Sequence, residues 1–124
     1  MLRGKRIAVV EDEPPIGMIL GIMLDELGCV QAGSAKTLSE AMALSQGIEA
    51  DAVLLDYKLK GEFSEPAAQS FLARGIKVIL TTGADERDIP ATLKACAVVH
   101  KPFGLETIER GLVEALSDDT PTIN

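Results

Sequence analysis

Short apolar runs alternate with longer amphipathic segments along the chain. Most of the short runs are rich in β-branched residues and leucine, which is typical of strands buried on both faces. They cover residues 7–10, 29–32, 52–55, 77–81 and 97–100. Helices are predicted between and after them, at residues 14–27, 34–45, 66–74, 90–95 and 105–116. This alternation predicts an α/β fold with a doubly wound, five-stranded parallel sheet flanked by five helices.

Length and composition narrow the possible functions. The 124 residues suffice for one domain, so we expect a single domain at 1–124, with its core at about 5–116 and a polar tail at 117–124. A formal charge of −7 with scattered Lys and Arg argues against nucleic-acid binding. The N-terminus lacks a secretory pattern and no apolar stretch is long enough for a bilayer, so we expect no membrane contact. Cys29 and Cys96 lie far apart without a CxxC motif and are predicted to be reduced core residues of a cytoplasmic protein.

Polar residues that could carry chemistry follow four of the predicted strands. They are Glu11 and Asp12, Asp56, residues 81–83, and Lys101. In a doubly wound sheet the site lies outside the carboxyl ends of the strands, so we expect these groups to converge. Carboxylates that share a site repel one another unless a cation neutralises them, and oxygen ligands suit Mg²⁺. A lysine facing the metal could hold a phosphoryl oxygen, which fits Asp56 as a covalent phosphoryl acceptor.

Each of these residues also has a structural interpretation when it is taken alone. Glu11 and Asp12 could favour the N-terminus of the following helix through its dipole. Asp56 could cap a turn, and Lys101–Pro102 could mark a loop. The combination of an acidic pair, an aspartate and a lysine at the ends of different strands favours the phosphoryl site.

Four motifs in order give the chain a resemblance to a known family. They are the acidic pair after the first strand, the run VLLD that ends in Asp56, Thr-Gly at 82–83 and Lys-Pro-Phe at 101–103. Over residues 5–116 the chain resembles the receiver domain of two-component response regulators, of the stand-alone, single-domain type. The resemblance implies the flavodoxin-like receiver fold and a signalling switch that depends on phosphorylation.

The resemblance assigns a phosphoryl acceptor and a Mg²⁺ site. Asp56 would accept the phosphoryl group and also bind the metal. Asp12 would be a direct Mg²⁺ ligand, and Glu11 would act through a bound water. The backbone carbonyl of Lys58 would be the remaining ligand that the protein provides to Mg²⁺.

The resemblance also assigns the residues that respond to phosphorylation. Thr82 would be the switch hydroxyl, because Gly83 matches the small residue that the family places after it. Thr81 is the less suitable hydroxyl because it lies inside the predicted strand. Lys101 would pair with the phosphoryl group, and the Lys101–Pro102 bond would be cis, an isomer that proline permits.

The resemblance implies a sensor histidine kinase or a histidine phosphotransfer protein as the phosphoryl donor. A downstream protein target is also possible, with the chain as a monomer or weak homodimer. The chain would assist only its own phosphorylation and dephosphorylation, rather than act as an enzyme. A degenerate or constitutive receiver-like binding module is one alternative, but no site residue has been lost. A Mg²⁺-dependent phosphohydrolase is less favoured. The chain has no GxxxxGK[ST] phosphate loop, and Pro14 stands where dehalogenase-type phosphatases need a second aspartate.

Two features depart from the family pattern. Val98 stands three residues before Lys101, where the family often has an aromatic residue. The segment after Asp56 lacks the Met-Pro pair that many members carry. Both departures leave the chemistry intact but raise the question of how the signal leaves the site. Tyr57, which is not one of these departures, is predicted to be a loop residue that faces solvent or the rim of the site.

The first helix is too apolar for a helix with one buried face. A stripe at helical spacing should pack on the sheet, and it consists of Ile16, Leu20, Leu24 and Leu27. Met18 and Ile22 fall away from this stripe, beside Gly17 and Gly21. Because glycine inside a helix costs about 1 kcal/mol relative to alanine, the pattern suggests close approach by another molecule. We expect Met18 and Ile22 to face a phosphodonor domain, or otherwise another copy of the chain.

Overall fold

A computed structural model describes residues 1–83 and 86–117 and confirms the predicted α/β class. The strands of the described chain are β1 (Arg6–Val10), β2 (Val30–Ala35), β3 (Ala52–Asp56), β4 (Lys58–Leu59), β5 (Glu62–Phe63), β6 (Lys77–Thr82) and β7 (Ala97–His100). The α-helices of the same residues are α1 (Pro14–Glu26), α2 (Leu38–Gly47), α3 (Glu65–Ala73) and α4 (Leu105–Leu116). Five of the strands form one sheet in the order β2-β1-β3-β6-β7, with parallel pairing throughout.

Helices cover both faces of this sheet, which explains why consecutive positions within its central strands are apolar, as in residues 7–10 and 52–55. Successive strand residues point to opposite faces. Ala8 and Val10 of β1 therefore join the core under α2 and α3, whereas Ile7 and Val9 join the core under α1 and α4. The predicted stripe on α1 packs in the second of these cores, with Leu20 and Leu24 fully buried.

The helix predicted at residues 90–95 is wrong. The chain forms two 3₁₀ turns in this region, Glu86–Asp88 and Ala91–Leu93, so the described residues hold four α-helices rather than five. Pro90 is extended, and the Leu93 N–H donates to the Pro90 carbonyl at 2.9 Å. So short a segment forms too few α-helical hydrogen bonds to offset the cost of nucleation. Burial of Leu93 therefore decides the local conformation.

The second strand and the second helix both begin later than predicted. β2 extends to Ala35 because it pairs with β1 as far as Val10. Thr37 caps α2, since its hydroxyl accepts a hydrogen bond from the Glu40 N–H at 3.0 Å. Threonine followed three residues later by glutamate is a helix-start signature that apolar periodicity does not reveal.

A small hairpin of β4 and β5, in a segment predicted to be a loop, follows β3 after the single residue Tyr57. Its turn consists of Lys60 and Gly61, whose φ angles are 48° and 86°. Glycine adopts this left-handed region without strain, and Lys60 shares it at a modest cost. Tyr57 does not face solvent, because only 6% of this residue is exposed, but it lines the cavity at the carboxyl end of β3, as the alternative rim position predicts.

The apolar patch on α1 is exposed as predicted, with Met18 70% and Ile22 58% accessible. Of the two glycines beside this patch, Gly21 is explained by a contact within the chain. A Cβ at Gly21 would lie 2.9 Å from the Gln31 side-chain oxygen of β2, so glycine lets this side chain approach the helix. At Gly17 a Cβ would meet no atom within 4 Å, so that position remains open to a partner.

No helix in the described part of the chain combines the length and the apolar character that a membrane span requires. The predicted tail at 117–124 lies, beyond Ser117, outside the described residues.

Candidate functional site

The residues predicted to carry chemistry meet at the carboxyl edge of the parallel sheet. Glu11 and Asp12 directly follow β1, and Asp56 is the last residue of β3. Thr82 ends β6, and Lys101 directly follows β7. Since all of these strands are parallel, their carboxyl ends bring the five side chains to one edge.

Three carboxylates form a tight cluster at this edge. One oxygen each of Glu11, Asp12 and Asp56 lies within 4.8 Å of the others. The Lys101 Nζ lies 3.0 Å from Asp56 Oδ2 and 3.4 Å from Glu11 Oε1, so one ammonium bridges two of the acids. Glu11 and Asp56 are buried, whereas Asp12 is partly exposed.

Burial makes two of the acids reluctant to ionise. It raises the pKa of Glu11 to about 7, with the Asp56 charge as the second cause and Lys101 opposing both. Burial also raises the pKa of Asp56, against the hydrogen bond and charge of Lys101. Burial alone would lower the pKa of Lys101, but its contacts with Asp56 and Glu11 outweigh this effect and raise it. Lys101 therefore stays charged at neutral pH. Its single positive charge does not fully neutralise the carboxylates of the cluster.

Asp12 differs from its neighbours because it is less buried, so its hydrogen bonds outweigh the effect of burial on its pKa. Burial acts to raise its pKa, but the Lys60 N–H, which donates to Asp12 Oδ2 at 2.9 Å, and further hydrogen bonds lower it overall. Asp12 is thus the acid of the cluster that ionises most readily.

The donor set fits a hard divalent cation. All three acids offer oxygen atoms, the type of ligand that Mg²⁺ takes in proteins. Glu11 Oε1 is buried and has no hydrogen-bond partner, so a water or a cation with its hydration shell would satisfy it. Burial and, second to it, the Asp56 charge raise the pKa of Glu11, and a cation here would oppose both effects.

A cavity of about 620 Å³ opens onto the cluster. Asp12, Asp56, Thr82 and Lys101 line it together with Lys58. The Lys58 N–H donates to Asp56 Oδ1 at 3.4 Å, and the Lys101 N–H donates to the Thr82 carbonyl at 2.8 Å. Apart from the buried Glu11, the sequence-predicted residues therefore surround a single space large enough for a phosphoryl group.

Comparison with known proteins identifies the arrangement. No protein-family profile and no curated protein matches the chain, but solved structures do. The PhyR response regulator REC domain of Erythrobacter litoralis matches with a TM-score of 0.83 and 28% identity, over 98% of both chains. SdrG from Sphingomonas melonis Fr1 is 31% identical with a TM-score of 0.78, covering 94% of this chain and 99% of that one. The BeF3-activated conformation of SdrG from Pseudomonas melonis Fr1 is 32% identical over the same shares, also with a TM-score of 0.78.

The chain belongs to the receiver domain family. Within this receiver, the reason given for preferring Thr82 to Thr81 as the switch hydroxyl needs one correction. Both Thr81 and Thr82 lie inside the strand, although the sequence placed only Thr81 there. Thr81 pairs with Asp56 across the sheet, whereas Thr82 lines the cavity. The Lys101–Pro102 bond is cis, as predicted.

The β4–β5 hairpin, which the apolar pattern did not predict, closes one side of the receiver's cavity. The turn residue Lys60 binds Asp12 through its backbone, and the Lys58 ammonium lies 5.4 Å from the centroid of the Phe63 ring. The lysine–glycine pair at the turn was the available signal, because glycine between two short alternating segments favours a hairpin. Strands of two residues are too short for the periodicity to reveal.

Proposed function

We propose that this receiver is a phosphorylation-dependent signalling switch with Asp56 as its phosphoryl acceptor. The observation that supports this best is the 3.0 Å ion pair between Lys101 Nζ and Asp56 Oδ2, beside two further acids. A lysine in contact with the acceptor carboxylate is well placed to contact a phosphoryl oxygen once the carboxylate carries one.

We infer that the receiver uses Mg²⁺, held by Asp12 and Asp56 directly and by Glu11 through water. The backbone carbonyl of Lys58 is the proposed fourth protein contribution. The buried Glu11 Oε1, which makes no hydrogen bond, and the oxygen-only donor set support this assignment. When bound, Mg²⁺ would neutralise charge on the transferring phosphoryl group.

The proposed reaction is a transfer from a phosphohistidine. An Asp56 oxygen attacks phosphorus, so a P–O bond forms while the P–N bond to the donor imidazole breaks. The imidazole keeps the electron pair of the broken bond and takes up a proton from solvent. Because the transition state is loose, positioning and electrostatic stabilisation supply most of the catalysis, and the Lys101 ammonium serves both. Hydrolysis of the acyl phosphate later restores the free carboxylate.

Phosphorylation of Asp56 would then shift the conformation of the receiver. The phosphoryl group adds about −1.5 to −2 charges and new acceptor oxygens. We propose that Thr82, which lines the same cavity, turns its hydroxyl toward these oxygens. The change would bias a two-state surface read by a downstream protein.

A sensor histidine kinase or a histidine phosphotransfer protein is the proposed donor, which implies a cytoplasmic location. We propose a monomer or a weak homodimer that has no enzymatic activity beyond its own phosphorylation and dephosphorylation. The structural likeness to the BeF3-activated conformation of SdrG supports a switch of this type.

Mass spectrometry after incubation with Mg²⁺ and acetyl phosphate tests the proposal. We expect one phosphoryl adduct on Asp56 that is stable in acid and labile in base. The adduct should be absent from Asp56→Asn and from samples with EDTA, and it should persist in Asp25→Asn, which changes an exposed aspartate on α1. Wild-type protein without an adduct would contradict the proposal and favour a constitutive binding module.

A further inference from the structure

Phosphorylation of Asp56 must be coupled to the rest of the receiver by some side chain. No Phe, Tyr or Trp on β7 can do this, because β7 contains none. Val98 stands three residues before Lys101, and the described strand β7 consists of Ala97, Val98, Val99 and His100. Phe103 packs in the core of the opposite face, under α1 and α4. Tyr57, the single tyrosine of the chain, instead directly follows the acceptor.

The side chain of Tyr57 reaches from the acceptor to the segment after β6. Its hydroxyl donates a long hydrogen bond of 3.4 Å to the Asp88 carbonyl in the first 3₁₀ turn. The ring lies in the same buried cluster as Ile89 and Leu93, and its centroid is 5.3 Å from that of Phe63. One buried side chain thus contacts both the hairpin and the 3₁₀ segment.

At the opposite end of Tyr57 from the hydroxyl, three hydrogen bonds fix the backbone. Its N–H donates to the Thr81 carbonyl at 2.9 Å, beside the proposed switch residue. Its carbonyl accepts hydrogen bonds from the Ser64 N–H at 2.8 Å and the Ser64 hydroxyl at 3.0 Å. The backbone is therefore fixed to the sheet and to the start of α3, whereas the hydroxyl has one weak contact that can change at low cost.

We propose that Tyr57 is a positioning residue that couples the phosphoryl group on Asp56 to residues 86–93. This inference rests on the proposed function and adds the route of the signal. Movement of Thr82 toward the phosphoryl group shifts the chain that follows β6 relative to the fixed ring. The Tyr57 hydroxyl then favours the position that the Asp88 carbonyl takes in the phosphorylated state over its position in the free state. The two 3₁₀ turns move with this carbonyl.

The experiment compares wild type, Tyr57→Phe and Thr92→Val as full chains in Mg²⁺. Tyr57→Phe keeps the buried ring and removes only the hydroxyl. Thr92→Val is the matched control, because the Thr92 hydroxyl donates to the Glu65 carboxylate and so also ties the 3₁₀ segment to α3, away from Asp56. Hydrogen exchange of residues 86–93 is measured with and without fluoroberyllate, and acetyl phosphate uptake is measured by mass spectrometry.

We expect Tyr57→Phe to take up phosphoryl groups as wild type does but to lose much of the fluoroberyllate response. Because this hydrogen bond is long, the low end of net hydrogen-bond strengths applies, which corresponds to a roughly 2-fold smaller change in protection at residues 86–93. Thr92→Val should exchange faster in both conditions and keep the full difference between them.

Several results would overturn the inference. A full response in Tyr57→Phe would show that the hydroxyl carries no coupling, and an equal loss in Thr92→Val would show general loosening of the segment. Failure of Tyr57→Phe to take up phosphoryl groups would place the residue in the chemistry instead. If wild type itself takes up none, the proposed function fails and this inference fails with it.

Discussion

The Glu11→Gln variant is expected to be more stable than wild type above pH 7 when Mg²⁺ is absent. Burial and the Asp56 charge raise the pKa of Glu11 to about 7, from an ordinary value of 4.5. An acid with a raised pKa stabilises the folded protein fully below its unfolded pKa, and this contribution is lost as the pH rises through the folded pKa. The free energy of unfolding of the metal-free wild type should therefore fall between about pH 4.5 and 7.

The size of the effect follows from the pKa and the contacts of Glu11. A rise from 4.5 to about 7 corresponds to about 3 kcal/mol of free energy of unfolding. Glutamine removes the charge and keeps an oxygen for the Glu13 N–H, which donates to Glu11 Oε2 at 3.2 Å. It also loses the ion pair with Lys101, a side chain that solvent reaches, which offsets part of the gain. We expect a net gain of about 1–2 kcal/mol near pH 8 and almost none near pH 5.

Urea unfolding in EDTA at these two pH values measures the effect. Glu109→Gln, which removes an exposed carboxylate on α4, is the control and should change stability little at either pH. Added Mg²⁺ should stabilise wild type near pH 8, because the cation neutralises the same cluster. The reasoning fails if Glu11→Gln is less stable than wild type near pH 8, or if its gain is the same at both pH values.

Three further predictions concern the proposed switch. Thr82→Ala should keep phosphoryl uptake from acetyl phosphate but weaken the fluoroberyllate response of residues 86–93 in hydrogen exchange; a full response would rule out Thr82 as the switch. Lys101→Ala should slow that uptake by about 10²-fold, as loss of a charge-stabilising donor does, and unchanged uptake would refute its role. Replacing Met18 and Ile22 together by Glu should slow transfer from a histidine donor in phosphotransfer assays while sparing acetyl phosphate. Unfolding of the double variant, or unchanged donor transfer, would contradict a docking role for the patch.

The parallel sheet could be predicted because burial on both faces leaves a clear sequence signal. Strands such as β3 are apolar at every position except the terminal Asp56, and glycine or proline marks many of the boundaries. The 3₁₀ turns and the hairpin could not be predicted in the same way. Their conformation depends on tertiary contacts, such as the burial of Leu93 and the hydrogen bond from the Lys60 N–H to Asp12.

The grouping of the candidate site could also be predicted, because parallel strands place their carboxyl ends at one edge. Glu11, Asp12, Asp56 and Lys101 meet there as expected. The burial of Tyr57 could not be predicted, since its hydroxyl partner Asp88 lies 31 positions away and the ring is covered by segments with weak periodicity. The pattern along the chain thus predicts which residues form the candidate site. The surroundings of Tyr57, next to Asp56, depend instead on the tertiary fold.

Lys101 connects the metal requirement to the switch. In the metal-free receiver it is shared between Asp56 at 3.0 Å and Glu11 at 3.4 Å. On the proposed function, a phosphoryl group on Asp56 draws the ammonium toward its own oxygens, which weakens the ion pair with Glu11. Glu11 would then be a buried carboxylate without a cationic partner, a costly arrangement unless a metal ion stands nearby. A metal in the acidic cluster therefore stabilises the phosphorylated receiver more than the free one, and by linkage phosphorylation should tighten Mg²⁺ binding.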